Sequence, residues 1–131
     1  MENKGEEQLL YSKRPHHIGV VVKDIDKAIA HLESLGIGPF QFDENTRVRT
    51  TTFKGELHGA PAEWSTRVSN AKMGDMELEL LEPFEGAQAL RESLDATGEG
   101  LHHIAWVTND LQGDIAEAIG GESRWKTLES N

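Results

Sequence analysis

The sequence contains no cysteine. That excludes a disulfide framework, a thiolate metal site and a cysteine nucleophile, so any bound metal must be held by His, Asp or Glu. Long apolar runs are missing too: none approaches the roughly 20 residues needed to span a bilayer. The leading MENKGEEQLLYSKR is too polar for a signal peptide. A soluble, cytoplasmic protein is the expectation. Positive charge is scarce, with 13 Lys and Arg against 23 Asp and Glu and a formal net charge of −10. Such a surface repels nucleic acid and anionic membranes alike, so neither is expected as a partner. What remains is a chain of 131 residues, the length of one ordinary domain with its own core.

The strongest positive signal is an internal repeat. HHIGVVVKDIDKAIAHL aligns with HHIAWVTNDLQGDIAEA, pairing His16 with His102, His17 with His103, Ile18 with Ile104, Val21 with Val107, Asp24 with Asp110 and Ile29 with Ile115. Each copy reads as a short strand, 18–22 and 104–108, followed by an Asp whose carboxylate can cap the free amides of a helix start. In the first helix Ile25, Ile29 and Leu32 share a face until Gly36; in the second, Leu111, Ile115 and Ala118 do so until Gly120 and Gly121. Each unit is therefore β then α.

Between the copies, residues 47–82 are rich in Thr, Val, Phe and Trp without helical period, which predicts strands over 47–55, 63–72 and 76–82. Gly74-Asp75 fits a two-residue hairpin turn with Gly at its first central position. Ala87, Leu90 and Leu94 are helically spaced, predicting a linker helix over 84–98. After the second helix about ten residues remain, room for one strand of ordinary length. The expected organisation is one domain over 1–131, with a first unit at 15–83, the linker helix at 84–98 and an incomplete second unit at 100–131.

Side chains alternate along a strand, so His17 shares a face with Gly19 and Val21, and His103 with Ala105 and Val107, while His16 and His102 point the other way. The small residues Gly19 and Ala105 leave room beside His17 and His103, which marks these two as the functional pair. In MELELLEP the central carboxylate on the polar face is Glu79. Two imidazoles and a carboxylate suit a borderline divalent ion: zinc, cobalt, nickel, manganese or ferrous iron. Taken singly, a His at a strand start is more often a hydrogen-bonded structural residue, and a Glu on a strand is more often merely solvated. The repeated HHI argues otherwise, because two separate strands present the same dipeptide at equivalent positions.

HHIGVVVKDIDKAI, LGIGPF, MELELLEP and GEGLHHIAWVTNDL together resemble the vicinal oxygen chelate superfamily, which includes glyoxalase I, methylmalonyl-CoA epimerase, extradiol dioxygenases and bleomycin-resistance proteins. The resemblance covers about residues 15–120 and is nearest to the epimerase and its glyoxalase-like relatives. It implies an α+β fold of paired βαβββ units forming a curved mixed sheet, here with the second unit C-terminally truncated. It also implies metal ligation by His17, Glu79 and His103. The family's fourth ligand, a Glu on the last strand, has no counterpart, since neither Glu122 nor Glu129 matches its motif. By the same resemblance, the ion would polarise a substrate carbonyl and stabilise an enolate, in epimerase-like isomerisation or lyase chemistry, on a small molecule that includes acyl-CoA among its candidates.

No residue can be assigned as the general acid or base. Asp43 and Glu44 are carboxylates in a predicted loop without motif support. Arg47, Arg49, Lys54, Arg67 and Lys72 cluster in sequence as phosphate-binding candidates, although scattered charges on solvated strands are the simpler explanation. The competing function is a non-catalytic small-molecule binder of the bleomycin-resistance type, with Phe40, Phe42, Phe53, Trp64 and Trp106 lining its pocket, or a truncated inactive relative. An incomplete second sheet would leave a strand edge open, from which a homodimer is expected.

Overall fold

The computed structural model describes residues 14–86 and 88–120. Strand β1 (Pro15–Val21) sits inside the sheet and carries apolar side chains on both faces, as a strand covered on both sides requires. Helix α1 (Ile25–Ser34) follows at once. Its N-cap is Asp24, whose carboxylate accepts the Lys27 N–H at 3.1 Å. Its C-terminus closes as a full Schellman motif: Gly36 turns left-handed at φ 89°, its N–H reaches the Glu33 carbonyl, and the Ile37 N–H reaches that of Leu32.

Strands β2 (Arg49–Leu57), β3 (Ala60–Met73) and β4 (Met76–Glu85) form an antiparallel meander. The three expected strands are present: β2 has the expected length but lies two residues further along, and β3 and β4 run longer. For β2 and β3 the reason is the β2–β3 turn, where His58 and Gly59 both take positive φ, 54° and 82°, as a type I′ hairpin demands. That turn was not legible because His is an unusual residue there. The Gly74-Asp75 hairpin is as expected, with Gly74 at φ 66°.

The linker helix is shorter than 84–98. Phe84 and Glu85 stay in β4, where Glu85 still pairs with Ser65, and helix α2 runs Gln88–Thr97. Strand β5 (Gly100–Trp106) begins before the expected 104, because its antiparallel pairing with β1 runs from Gly100 opposite Val21 to Trp106 opposite Pro15. Thr108 falls outside it and accepts the turn instead: its hydroxyl oxygen takes the Asp110 N–H at 2.9 Å. Helix α3 (Leu111–Gly120) has Asp110 as its cap, accepting the Gly113 N–H at 3.1 Å. The expected final strand, with Gly121, Glu122 and Glu129, lies outside the described residues.

The five strands make one curved, unclosed mixed sheet in the order β2-β3-β4-β1-β5. β1 pairs in parallel with β4 and antiparallel with β5. One core cluster packs α1 on one face through Ile25, Ile29, Phe40, Ala71 and Leu80. On the other face, Val21, Val68, Leu81 and Leu90 form a second cluster, with Phe42 and Leu94 against it. Each fully buried Ile or Leu contributes about 1.5–3 kcal/mol relative to exposure. Among the described residues no helix is long and apolar enough to cross a membrane.

Candidate metal centre

The register brings three strands to one point. Gly19 of β1 lies opposite Glu79 of β4 on one side and opposite His103 of β5 on the other. His17, two residues earlier, projects from the same face. The Nε2 atoms of His17 and His103 are 3.1 Å apart, and Glu79 Oε1 is 3.4 Å from the first and 3.5 Å from the second. All three side chains are about four-fifths buried, at 20%, 18% and 19% exposure, so they are shielded yet open on one side.

Gly19 makes this convergence possible. A Cβ at that position would sit 2.5 Å from His103 Nε2 and 2.7 Å from its Nδ1, inside the ring's own volume. The imidazole therefore lies over the bare backbone of β1, and only glycine leaves that cradle open. The small residue noted in the sequence has a more specific role than general spaciousness.

The donor set suits a metal ion. With metal–ligand bonds of about 2.0–2.1 Å, the edge of a coordination tetrahedron is about 3.3–3.4 Å. The observed triangle of 3.1, 3.4 and 3.5 Å matches that edge. Two imidazole nitrogens and one carboxylate oxygen, all within 4.8 Å of one another, could hold zinc or a neighbouring divalent ion. Burial pushes the His17 imidazole below its ordinary value, with the Glu79 charge opposing and His103 and His16 adding to the depression. A ring kept neutral at neutral pH is the form a metal requires.

Alternation along the strands predicted that His16 and His102 would be uninvolved. Neither joins the His17–Glu79–His103 group, yet each touches a member of it: His16 Nδ1 lies 2.8 Å from His17 Nδ1, and His102 Nδ1 lies 2.9 Å from His103 Nδ1. Each pair meets edge to face, with ring centroids 5.1 and 5.2 Å apart. The signal was the doubled histidine itself, read for one residue of each pair. Asn70, opposite Glu79 on β3, was also missed; its amide donates to Glu77 Oε1 at 2.8 Å, and among the described residues its own buried Oδ1 has no partner.

The other candidates disperse. Asp43 accepts the Asn45 N–H at 2.8 Å in a tight loop, a bond that holds its carboxyl below the usual range, and neither it nor Glu44 joins the His17–Glu79–His103 group. The basic residues are largely spent on ion pairs: Arg47 with Glu33 at 2.6 Å, Arg67 with Glu82 at 2.9 Å, and Lys72 near Glu77 at 3.9 Å. Arg49 stacks over the Phe42 ring at 4.2 Å. The aromatics do not line one pocket either. Phe40 is fully buried with α1, on the opposite face from Phe42, while Phe53 stacks on Trp64 at 6.0 Å and remains 43% exposed. An open groove of about 420 Å³, lined by Lys23, Pro83, Arg91, Leu94 and Asp95, shares no residue with the metal group.

Residues 16–121 match the model of the glyoxalase/bleomycin resistance protein/dioxygenase superfamily. The chain belongs to that superfamily. No curated protein sequence matches it. Among solved structures it is similar to the hypothetical protein BH1468 from Bacillus halodurans C-125, at 21% identity and TM-score 0.57, over 85% of this chain and 70% of that one. A Mycobacterium tuberculosis methylmalonyl-CoA epimerase is similar at 16% identity and TM-score 0.54, over 97% and 79%. A substituted Streptomyces coelicolor methylmalonyl-CoA epimerase, in complex with 2-nitronate-propionyl-CoA, is similar at 26% identity and TM-score 0.52, over 91% and 79%.

Proposed function

We propose that this superfamily member is a divalent-metal-dependent isomerase or lyase of the glyoxalase and epimerase type, with His17 Nε2, Glu79 Oε1 and His103 Nε2 as its metal ligands. The observation that carries the reading is the triangle of donors, 3.1 to 3.5 Å on a side, from three adjacent strands over the bare backbone of Gly19. Zinc, cobalt, nickel, manganese and ferrous iron are the candidate ions. Held by His17, Glu79 and His103, such an ion would supply a Lewis acid for a substrate carbonyl oxygen and so favour loss of a proton from the neighbouring carbon.

The chain's own residues supply the rest. His17 and His103 offer imidazole nitrogens, and Glu79 a carboxylate oxygen. Glu77, on the same face as Glu79 and held by Asn70, adds a second carboxylate beside the site. The substrate class is a small acyl compound able to present oxygen atoms, and acyl-CoA thioesters are the first to try, because the similar Streptomyces epimerase is in complex with 2-nitronate-propionyl-CoA.

A second reading, a non-catalytic small-molecule binder, is favoured by one feature: the stacked Phe53 and Trp64, of which Phe53 is 43% exposed. Solvent exchange separates the two. Methylmalonyl-CoA in D2O with metal-loaded protein should lose its α-proton to deuterium, followed by NMR, and His17→Ala and His103→Ala should abolish the exchange. If metal-loaded protein neither exchanges this proton nor isomerises a hemithioacetal, the binder becomes the better account.

A further inference from the structure

The Nδ1 contacts of the doubled histidines have a chemical consequence for the site. Two imidazole nitrogens at 2.8 or 2.9 Å can be stable neighbours only if one carries a proton and the other offers its lone pair. A neutral imidazole has one N–H, so placing that proton on Nδ1 leaves Nε2 bare. In both units the contact engages Nδ1 of the ring whose Nε2 enters the His17–Glu79–His103 triangle. The same arrangement is thus built twice, on separate strands, in residues 86 apart in sequence.

We propose that His16 and His102 are positioning residues for the metal centre: each accepts on its Nδ1 the Nδ1–H of the adjoining ligand histidine, and so fixes His17 and His103 in the tautomer and ring orientation that present a bare Nε2 to the ion. This rests on the metal reading given above and deepens it. Imidazole here does what a carboxylate or backbone carbonyl does behind most metal-bound histidines, orienting the ligand ring and raising its basicity. It also does so without adding a negative charge. The remaining proton of each outer ring then lies on Nε2, and His16 is exposed.

The assignment explains why both outer positions are histidine although strand alternation directs their side chains away from the site. With both inner rings protonated on Nδ1, the His17 and His103 Nε2 atoms face each other at 3.1 Å as two bare lone pairs, a juxtaposition that an ion bound between them would satisfy.

The test compares His16→Phe and His102→Phe, which keep a flat ring without an acceptor, with His16→Asn and His102→Asn, whose amide places a hydrogen-bonding atom near the position of Nδ1. Zinc affinity is measured by competition with a chromophoric chelator, on variants shown by circular dichroism to fold. Each Phe variant should bind zinc roughly 10–100-fold more weakly than the parent, the range for losing a partner of a metal-bound histidine. Each Asn variant should recover most of that loss. Phe variants that bind like the parent, or Asn variants as weak as Phe, would overturn the proposal. A second measurement separates its failure from that of the metal site. Long-range ¹H–¹⁵N spectra of the metal-free proteins should show the His17 and His103 tautomer populations moving toward Nε2–H in the Phe variants and returning in the Asn variants. If the parent binds no zinc, the metal reading falls, and these spectra still decide the inference: unchanged populations overturn it.

Discussion

At the residue scale, the site depends on an atom that is missing. Gly19 carries no side chain, and His103 occupies the space a Cβ would fill, 2.5 Å from its Nε2. Gly19 does not take a positive φ, so alanine is permitted by the backbone and excluded only by the ring. Gly19→Ala should therefore fold, since the His103 ring can swing outward from the sheet, but it should weaken zinc binding by roughly 100-fold. Isothermal titration of the folded variant checks this; unchanged affinity would mean that the ring does not need the cradle. The sequence allowed this position to be read as small and on the site's face. It did not reveal that the residue facing Gly19 across β5 is His103 itself, because register between strands 86 residues apart is set by tertiary pairing.

At the scale of elements, caps and turns explain where the sequence was readable. Asp24, Asp110, Gly36 and Gly74 carry local chemistry that acts over one to three residues, and each does in the structure what it was expected to do. The His58-Gly59 turn was hidden by an unusual turn residue, and the end of β4 depended on its pairing with β3, where Glu85 lies opposite Ser65. Helix α1 packs on the face opposite the metal group. Gly36→Ala, which forces a Cβ into the left-handed region at φ 89°, should cost about 1–2 kcal/mol of stability in urea denaturation. Zinc affinity should not change, because the disturbed cap lies across the sheet from His17 and Glu79. A parallel fall in affinity would show that α1 supports the site directly.

At the scale of the whole molecule, the sheet of the described residues has β2 and β5 as its two outer strands. β5 combines an edge unpaired among the described residues with exposed apolar side chains, Leu101 at 65% and Ile104 at 41% exposure. Such an edge is a template for pairing with another chain. A homodimer at micromolar concentration is expected in sedimentation velocity, dissociating in Ile104→Lys, and a monomer at all concentrations would contradict it. The division into two related units was legible because duplication leaves the same residues in the same order. That His17, Glu79 and His103 come together followed from strand alternation and family resemblance, while the contacts of the outer histidines did not, since alternation says where a side chain starts and not how far its ring reaches.

The central claim is that His17, Glu79 and His103 bind one divalent ion. Its most direct test is the metal content of purified protein by mass spectrometry, repeated on folded His17→Ala, Glu79→Ala and His103→Ala variants. About one equivalent of metal per chain is expected in the parent, with a large loss in all three variants. Protein that stays empty after dialysis against zinc, manganese, cobalt and nickel, or variants that keep the parent's metal, would contradict it.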